Sequence, residues 1–140
     1  MRLLIAGSLV IIAGIAATAA EPDQIAGDPD QGREVFLDRE LGHCLLCHQV
    51  AQLDAPFQGN IGPELSGVGN RLTANAIRER IADPITMNPE TVMPAYARTE
   101  SLIDVAEQYR GKPILDARQL EDLVAFVASL KQATETQSDG

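Results

Sequence analysis

Two cysteines and a histidine stand close together in the segment Cys44-Leu45-Leu46-Cys47-His48. This C-x-x-C-H spacing is typical of the segment that attaches haem covalently. One turn of helix sets both thiols on one side, where they can add to the vinyl groups of a porphyrin, and the next residue reaches the iron from the same turn. We therefore predict one covalent haem c, held by Cys44 and Cys47, with His48 as an axial ligand of the iron.

Zinc binding, a redox-active cysteine pair and a disulfide are alternative functions for the same segment, but each leaves part of it unexplained. A zinc site normally needs four ligands, often as two separated pairs, and the chain adds only the neighbouring His43. A thioredoxin-like redox pair expects a βαβ setting, for which the sequence has no strand pattern. A disulfide between Cys44 and Cys47 would leave His48 without a role. Haem attachment is the interpretation that uses all three residues.

A second iron ligand is predicted in the proline-bounded segment 84–94, which contains Met87 and Met93. A methionine thioether opposite a histidine completes six-coordinate iron in cytochromes c and raises the reduction potential. Methionine is often core filler, but this segment is too polar to bury two such side chains. We predict Met93 as the ligand because Pro94 holds its loop extended, and Met87 is the rival candidate.

The other ring nitrogen of an iron-bound histidine normally donates to a carbonyl, which fixes the orientation of the ring. The turn Gly62-Pro63 is the best place for this carbonyl. It lies within residues 49–72, a long stretch without periodicity that is expected in a small domain only if it wraps a ligand. Pro63 is therefore predicted to support His48.

Capping residues and apolar spacing predict four helices. The first starts with Asp28 as N-cap and Pro29 and ends at Leu41-Gly42, and Gly32 and Phe36 share a face that a second helix could approach closely. The others are residues 73–81, 99–109 and a last helix with a capping box of Asp116 and Gln119. The last helix has an apolar stripe with Phe126 at its edge; the stripe is Leu120, Leu123, Val124, Val127 and Leu130. The predicted fold class is all-α, wrapped around the haem.

The N-terminus has the pattern of a secretory signal peptide. An apolar run over residues 3–17 follows Arg2, and Ala17-Thr18-Ala19 and Ala20 offer cleavage positions. An uncleaved membrane anchor is the alternative, but the run is short for a span. We predict a signal peptide over residues 1–20, a disordered linker over 21–27, one domain over 28–131 and a disordered tail over 132–140. Cleavage would place the protein in the periplasm without stable membrane insertion.

The chain has 140 residues and a formal net charge of −9. Removal of residues 1–20 takes away Arg2 alone among the charged side chains, which leaves 10 basic against 20 acidic residues. Such an acidic surface disfavours nucleic acid and anionic lipid as partners. Since the haem uses both cysteines, no structural disulfide is predicted, and burial of the haem replaces part of a small core.

In this order, the motifs resemble those of class I cytochromes c. The resemblance implies that the N- and C-terminal helices cross at Gly32 and Phe36, and that the carbonyl of Pro63 takes the proton of His48. It also implies that Arg71 contacts a haem propionate. It covers most of the chain after the predicted signal peptide, and C-x-x-C-H is its one strongly specific motif.

A narrower set of motifs is similar to the SoxX family, the small cytochrome subunits of the sulfur-oxidation complex SoxAX. These motifs are Asn60-Ile61-Gly62-Pro63, Asp83-Pro84, residues 88–96, residues 111–115 and Gln119-x-Glu121-Asp122. The resemblance implies a periplasmic heterodimer with a catalytic SoxA cytochrome that joins thiosulfate to a cysteine of the SoxYZ carrier. The haem of this chain would then pass electrons to a downstream cytochrome c. Some relatives have a disulfide between the subunits, for which this chain has no spare cysteine.

Two other functions remain open at this point. A free-standing carrier cytochrome of another respiratory chain would use the same iron ligands. A single-chain, peroxidase-like haem enzyme would need an open or labile iron position, against which the Met93-Pro94 pair argues. In the SoxAX interpretation the chain is the electron-accepting subunit of a cysteine S-thiosulfotransferase complex whose catalytic haem lies on the partner.

Overall fold

The computed structural model describes residues 25–132. The predicted signal peptide, part of the predicted linker and the predicted tail beyond Gln132 lie outside these residues. Within the described range the elements are α1 (Pro29–Leu37), α2 (Val68–Arg71), α3 (Ala74–Ala82) and α4 (Ala117–Ser129), with 3-10 turns at Cys44–Leu46, Pro84–Thr86 and Glu107–Tyr109. Residues 25–132 contain helices and no strand, so the all-α prediction is confirmed.

Helix α1 begins as the sequence predicts and ends earlier. The carboxylate of Asp28 accepts from the backbone N–H groups of Asp30 and Gln31, with Pro29 in the first turn. The helix ends at Leu37 rather than at Leu41-Gly42, because Asp38 has an extended backbone and its side chain accepts from the N–H of Glu40 at 2.7 Å. This local hydrogen bond competes with continuation of the helix. Residues 38–43 therefore form the turn that leads into Cys44.

Helices α1 and α4 pack backbone against backbone. A Cβ atom on Gly32 would overlap the carbonyl oxygen of Asp122, so only glycine allows this approach. The rings of Phe36 and Phe126 meet edge to face beside it, with centroids 5.2 Å apart, an arrangement that stabilises aromatic pairs beyond burial alone. The predicted meeting of Gly32, Phe36 and Phe126 is confirmed.

Helix α4 forms the back of the core. Asp116 and Gln119 make the predicted capping box, and every member of the predicted apolar stripe is buried. Helix α3, capped by Thr73, packs on α4 through the buried Ile77 and Ile81. Arg78 of α3 also donates from two guanidinium nitrogens to both carboxylate oxygens of Glu121, a bidentate pair that fixes the register of the two helices.

The predicted helix over residues 99–109 is wrong. Only Glu107–Tyr109 forms a 3-10 turn, and Ser101 and Asp104 have φ of 57°, which is incompatible with a right-handed helix. The apolar residues have helical spacing, but Ile103 is 87% exposed and Leu102 and Tyr109 also face solvent. Helical spacing stabilises a helix only when the apolar face is buried against a partner, and here no such burial occurs.

The long segment 49–72 is loop for most of its length, with one correction. Residues Val68–Arg71 form the short helix α2, in which Gly69 donates its N–H to the carbonyl of Leu130 at 3.0 Å. Val50 and Leu53 are buried in the core, so the loop is packed against the helices. No helix in residues 25–132 is long and apolar enough to span a membrane.

Candidate functional site

The attachment residues lie on a single tight turn. Cys44–Leu46 is a 3-10 turn, after which the N–H groups of Cys47 and His48 both donate to the carbonyl of Cys44, at 3.1 and 2.9 Å. The thiols of Cys44 and Cys47 are free, with no disulfide between them. The turn therefore presents two thiols and an imidazole from five consecutive residues.

The Nδ1 atom of His48 lies 2.7 Å from the carbonyl oxygen of Pro63. A carbonyl oxygen can only accept a hydrogen bond, so Nδ1 must be the donor and carry the proton. A neutral ring then has its free lone pair on Nε2, which is the form that binds a metal. The geometry fixes both the tautomer and the orientation of a potential iron ligand.

The turn before Pro63 leaves no space behind the His48 ring. A Cβ on Gly62 would collide with the imidazole, and the N–H of Gly62 donates to the carbonyl of Cys47 at 2.8 Å. Gly59 packs equally closely on the carbonyl of Leu46 and donates to that of Leu45 at 2.8 Å. Segment 59–63 is thus held against the attachment turn along its length.

Arg71 lies on α2 and hydrogen-bonds to the same loop. Its guanidinium donates to the carbonyl of Ser66 at 3.0 Å and to that of Glu64 at 3.4 Å. Glu64 and Ser66 lie one and three residues after Pro63, so Arg71 supports the segment that carries the His48 acceptor. The contact between Arg71 and a haem propionate stays a prediction.

Two further polar side chains, which the sequence analysis does not single out, organise the loop. The side-chain oxygen of Gln58 accepts from the N–H of Val50 at 2.6 Å, and its amide donates to Leu53 and Ala55. The hydroxyl of Ser66 accepts from the N–H of Ala51 at 2.8 Å. These contacts replace the hydrogen bonds that regular structure would supply. Neither residue belongs to a recognisable motif, because long-range backbone contacts leave no periodic pattern.

The two candidate methionines differ in environment. Met93 is partly buried and packs against the core, and its N–H donates to the hydroxyl of Thr91 at 3.2 Å. Met87 is 51% exposed and follows the turn Pro84–Thr86. A ligand to a buried group must itself lie at least partly inside the protein. The burial of the two side chains therefore favours Met93 over Met87.

Tyr96 connects the methionine segment to the attachment turn. Its hydroxyl donates to the carbonyl of Gly42 at 2.7 Å, two residues before Cys44, in a buried hydrogen bond. Burial raises the pKa of Tyr96 above its usual range, and the neighbouring Cys44 and Cys47 raise it further. Burial likewise raises the pKa of the Cys44 thiol to about 12, so that this thiol is protonated at neutral pH.

These residues fit a covalently held haem. Two free thiols stand on one turn, the hydrogen bond of His48 Nδ1 to Pro63 leaves its Nε2 available, and Met93 is partly buried against the core. No group of three or more His, Cys, Asp or Glu side chains within residues 25–132 is arranged to hold a bare metal ion. One thioether and one imidazole with two attachment thiols would suit a one-electron haem carrier.

Comparison with known proteins agrees with this site. The sequence profile of the family described as Cytochrome c matches residues 29–131. The chain therefore belongs to the cytochrome c family and carries covalent haem c.

Among solved structures, the chain is similar to one described as SoxXA from P. pantotrophus, with a TM-score of 0.70 and 35% sequence identity. The match covers 76% of this chain and 84% of that one. The protein is thus a SoxX-like class I cytochrome that transfers electrons. No curated protein sequence matches the chain.

Proposed function

We propose that this protein is the small, electron-accepting subunit of a periplasmic SoxAX-like complex, with a larger SoxA-like cytochrome as its stable partner. The observation that carries the proposal is its similarity, at 35% identity over most of both chains, to a structure described as SoxXA. In this assignment Cys44 and Cys47 hold the haem, and His48 and Met93 bind its iron. Pro63 orients His48, and Arg71 supports the Pro63 loop and contacts a propionate.

The role in electron transfer follows from the ligand set. If His48 and Met93 both hold the iron, as proposed, no ligand position would be left for a substrate. The chemistry must then occur on the partner, and this chain accepts the electrons that the chemistry releases. Electron transfer needs a short distance between donor and acceptor, so the partner must bind close to the attachment turn.

An apolar surface beside the attachment turn supports such a partner. Leu46 on the turn and Ile61 on the adjoining segment are exposed, and the phenyl ring of Phe57 is 98% exposed. The backbone of Phe57 also has φ of 59°, a left-handed conformation that non-glycine residues rarely adopt, so an exposed ring is displayed from an unusual backbone position. The contacts of Gly59 with Leu45 and Leu46 hold the segments of these side chains side by side, and exposed apolar side chains on adjoining segments are candidates for a protein interface. We call Leu46, Phe57 and Ile61 the haem-side patch and assign it to contact with the partner cytochrome.

The proposed reaction joins thiosulfate to the cysteine thiol of a SoxYZ-like carrier. A new S–S bond forms between the carrier sulfur and the terminal sulfur of thiosulfate, and the thiol proton and two electrons leave. The haem held by this chain would supply the one-electron transfer, and a downstream cytochrome c would be the final oxidant. Charge balances, because the single negative charge of the product, the released proton and the two released electrons together equal the two negative charges of thiosulfate.

The test is purification of the protein from cells of its source grown on thiosulfate, followed by haem staining and intact-mass measurement. The proposal predicts a second, larger c-type cytochrome in equal stoichiometry. The purified pair should also transfer electrons from thiosulfate to an added cytochrome c only when a carrier with a free cysteine is present. Isolation of a lone haem protein would contradict the proposal and leave a free-standing electron carrier.

A further inference from the structure

The segment that carries Met93 is anchored at three points around Tyr96. The N–H groups of Tyr96 and Ala97 donate to the carbonyls of Ile81 and Ala82, at 3.2 and 3.0 Å. The carbonyl of Tyr96 accepts from the N–H of Leu115 at 3.0 Å. These backbone contacts tie the segment to the end of α3 and to the residues before α4.

A different connection joins the Met93 segment to the attachment turn. It is the hydrogen bond from the hydroxyl of Tyr96 to the carbonyl of Gly42, which spans 54 positions of the sequence. Within residues 25–132, no other hydrogen bond joins residues 84–97 to residues 38–48. The phenol of Tyr96 is therefore the one hydrogen-bonding link between the two segments in the described part of the chain.

The acceptor is itself held firmly. Gly42 is buried, its N–H donates to the carbonyl of Val35 at 3.1 Å, and a Cβ there would press on the same carbonyl and on the sulfur of Cys44. Tyr96 is 7% exposed, so water does not replace the hydrogen bond if it is lost. A buried carbonyl without a donor is costly.

We infer that the hydroxyl of Tyr96 is a positioning group for the axial thioether, holding the Met93 segment at the distance from the attachment turn at which Met93 stays on the iron. The inference rests on the proposed ligation by His48 and Met93. Tyr96 does not touch the iron in this account; it acts through the loop between residues 93 and 96.

The experiment compares Tyr96→Phe with Tyr109→Phe, which removes the other tyrosine hydroxyl of the chain from a side chain that is 61% exposed. Exogenous imidazole is titrated into the oxidised holoprotein at neutral pH, and displacement of the thioether is followed by the weak sulfur-to-iron absorption band in the far red. We expect Tyr96→Phe to bind imidazole on the order of tenfold more tightly than the unsubstituted protein. Tyr109→Phe should bind it with unchanged affinity.

A second control separates positioning from general stability. Val127→Ala truncates a buried side chain on α4, so it should lower the denaturant midpoint without changing the affinity for imidazole. If Tyr96→Phe behaves like Val127→Ala, with a lower midpoint and native imidazole affinity, the inference is overturned. If the unsubstituted protein lacks the far-red band, the proposed Met93 ligation fails instead, and the two failures are therefore distinguishable.

Discussion

The helices and the ligand-bearing loops of this protein are held by different forces. We use helical frame for α1, α3 and α4, and ligand loops for residues 42–66 and 84–97. The frame is stabilised by close apolar packing, as between Gly32 and α4 and between Phe36 and Phe126. The loops are stabilised by side chains that hydrogen-bond to backbone groups outside regular structure, as Gln58 does within its own loop and Tyr96 does across 54 positions of the sequence.

This difference separates stability from ligand geometry. Loss of packing in the frame should lower the free energy of unfolding and leave the iron ligands of the folded molecules in place. Loss of a contact in the ligand loops should alter the ligands at a smaller cost in stability. The same substitution, glycine to alanine, can be made in both regions.

Gly32→Ala should have the largest effect on stability. The added methyl group meets the backbone of α4 at Asp122, which cannot rotate away, so the two helices must separate. We expect the free energy of unfolding to fall by about 2 kcal/mol or more, even after the gain in helix propensity. Denaturant titration followed by circular dichroism measures this loss. An altered haem spectrum in the folded protein would contradict the separation of the two regions.

Gly62→Ala should have the opposite signature. Its added methyl group meets the ring of His48, a side chain that can tilt away at the cost of its hydrogen bond to Pro63. We expect partial loss of the low-spin spectrum and a changed reduction potential, with a loss of stability of about 1 kcal/mol. Absorption spectroscopy and redox titration measure both. A native spectrum together with a large loss of stability would show that the loop behaves like the frame.

Tyr96 should give the stability of the holoprotein a pH dependence at alkaline pH. Its folded pKa is raised by burial, so the folded state keeps the phenol proton where the unfolded chain has released it. The contribution of Tyr96 to the free energy of unfolding is therefore fully present below about pH 10. It falls as pH rises from there toward the folded pKa, by up to about 1.4 kcal/mol per pH unit. Tyr96→Phe should remove this slope. An equal slope in Tyr96→Phe and the unsubstituted protein would contradict the assignment.

The smallest effect on the isolated protein is expected from Phe57→Ser in the haem-side patch. An exposed side chain contributes little to folding, so stability should change by less than about 0.5 kcal/mol. Affinity for the partner cytochrome should fall about tenfold or more, because central aromatic residues dominate interface energies. Ile103→Ser, which alters an 87% exposed side chain in the loop before Glu107–Tyr109, is the matched control. Equal binding by Phe57→Ser and the unsubstituted protein would remove the patch from the interface.

The two regions also differ in how far the sequence predicts them. Local signals, such as the Asp28 cap and the capping box of Asp116 and Gln119, locate the starts of α1 and α4 correctly, because the residues that form a cap are neighbours in sequence. The helix predicted over 99–109 was wrong because spacing does not reveal whether a partner surface exists. C-x-x-C-H and Gly62-Pro63 located the attachment turn and the acceptor for His48.

The supporting contacts of the site could not be read from the sequence. In the sequence, Tyr96 is simply an aromatic residue shortly after Met93-Pro94. Gln58 is likewise a single polar residue in a predicted loop. Their partners, the Gly42 carbonyl and the Val50 N–H, are backbone groups, which every residue type carries. No residue identity at the acceptor position could have indicated the pairing. Such contacts become visible only when the chain is folded.

The most direct test of the account is the oxidised absorption spectrum of the purified holoprotein with Met93→Ala and Met87→Ala in parallel. The account predicts an intact mass with one haem and a far-red sulfur-to-iron band that Met93→Ala abolishes and Met87→Ala leaves unchanged. The reduction potential of Met93→Ala should also fall, because the thioether raises it. Retention of the band in Met93→Ala, or its loss in Met87→Ala, would contradict the ligand assignment on which the proposed function rests.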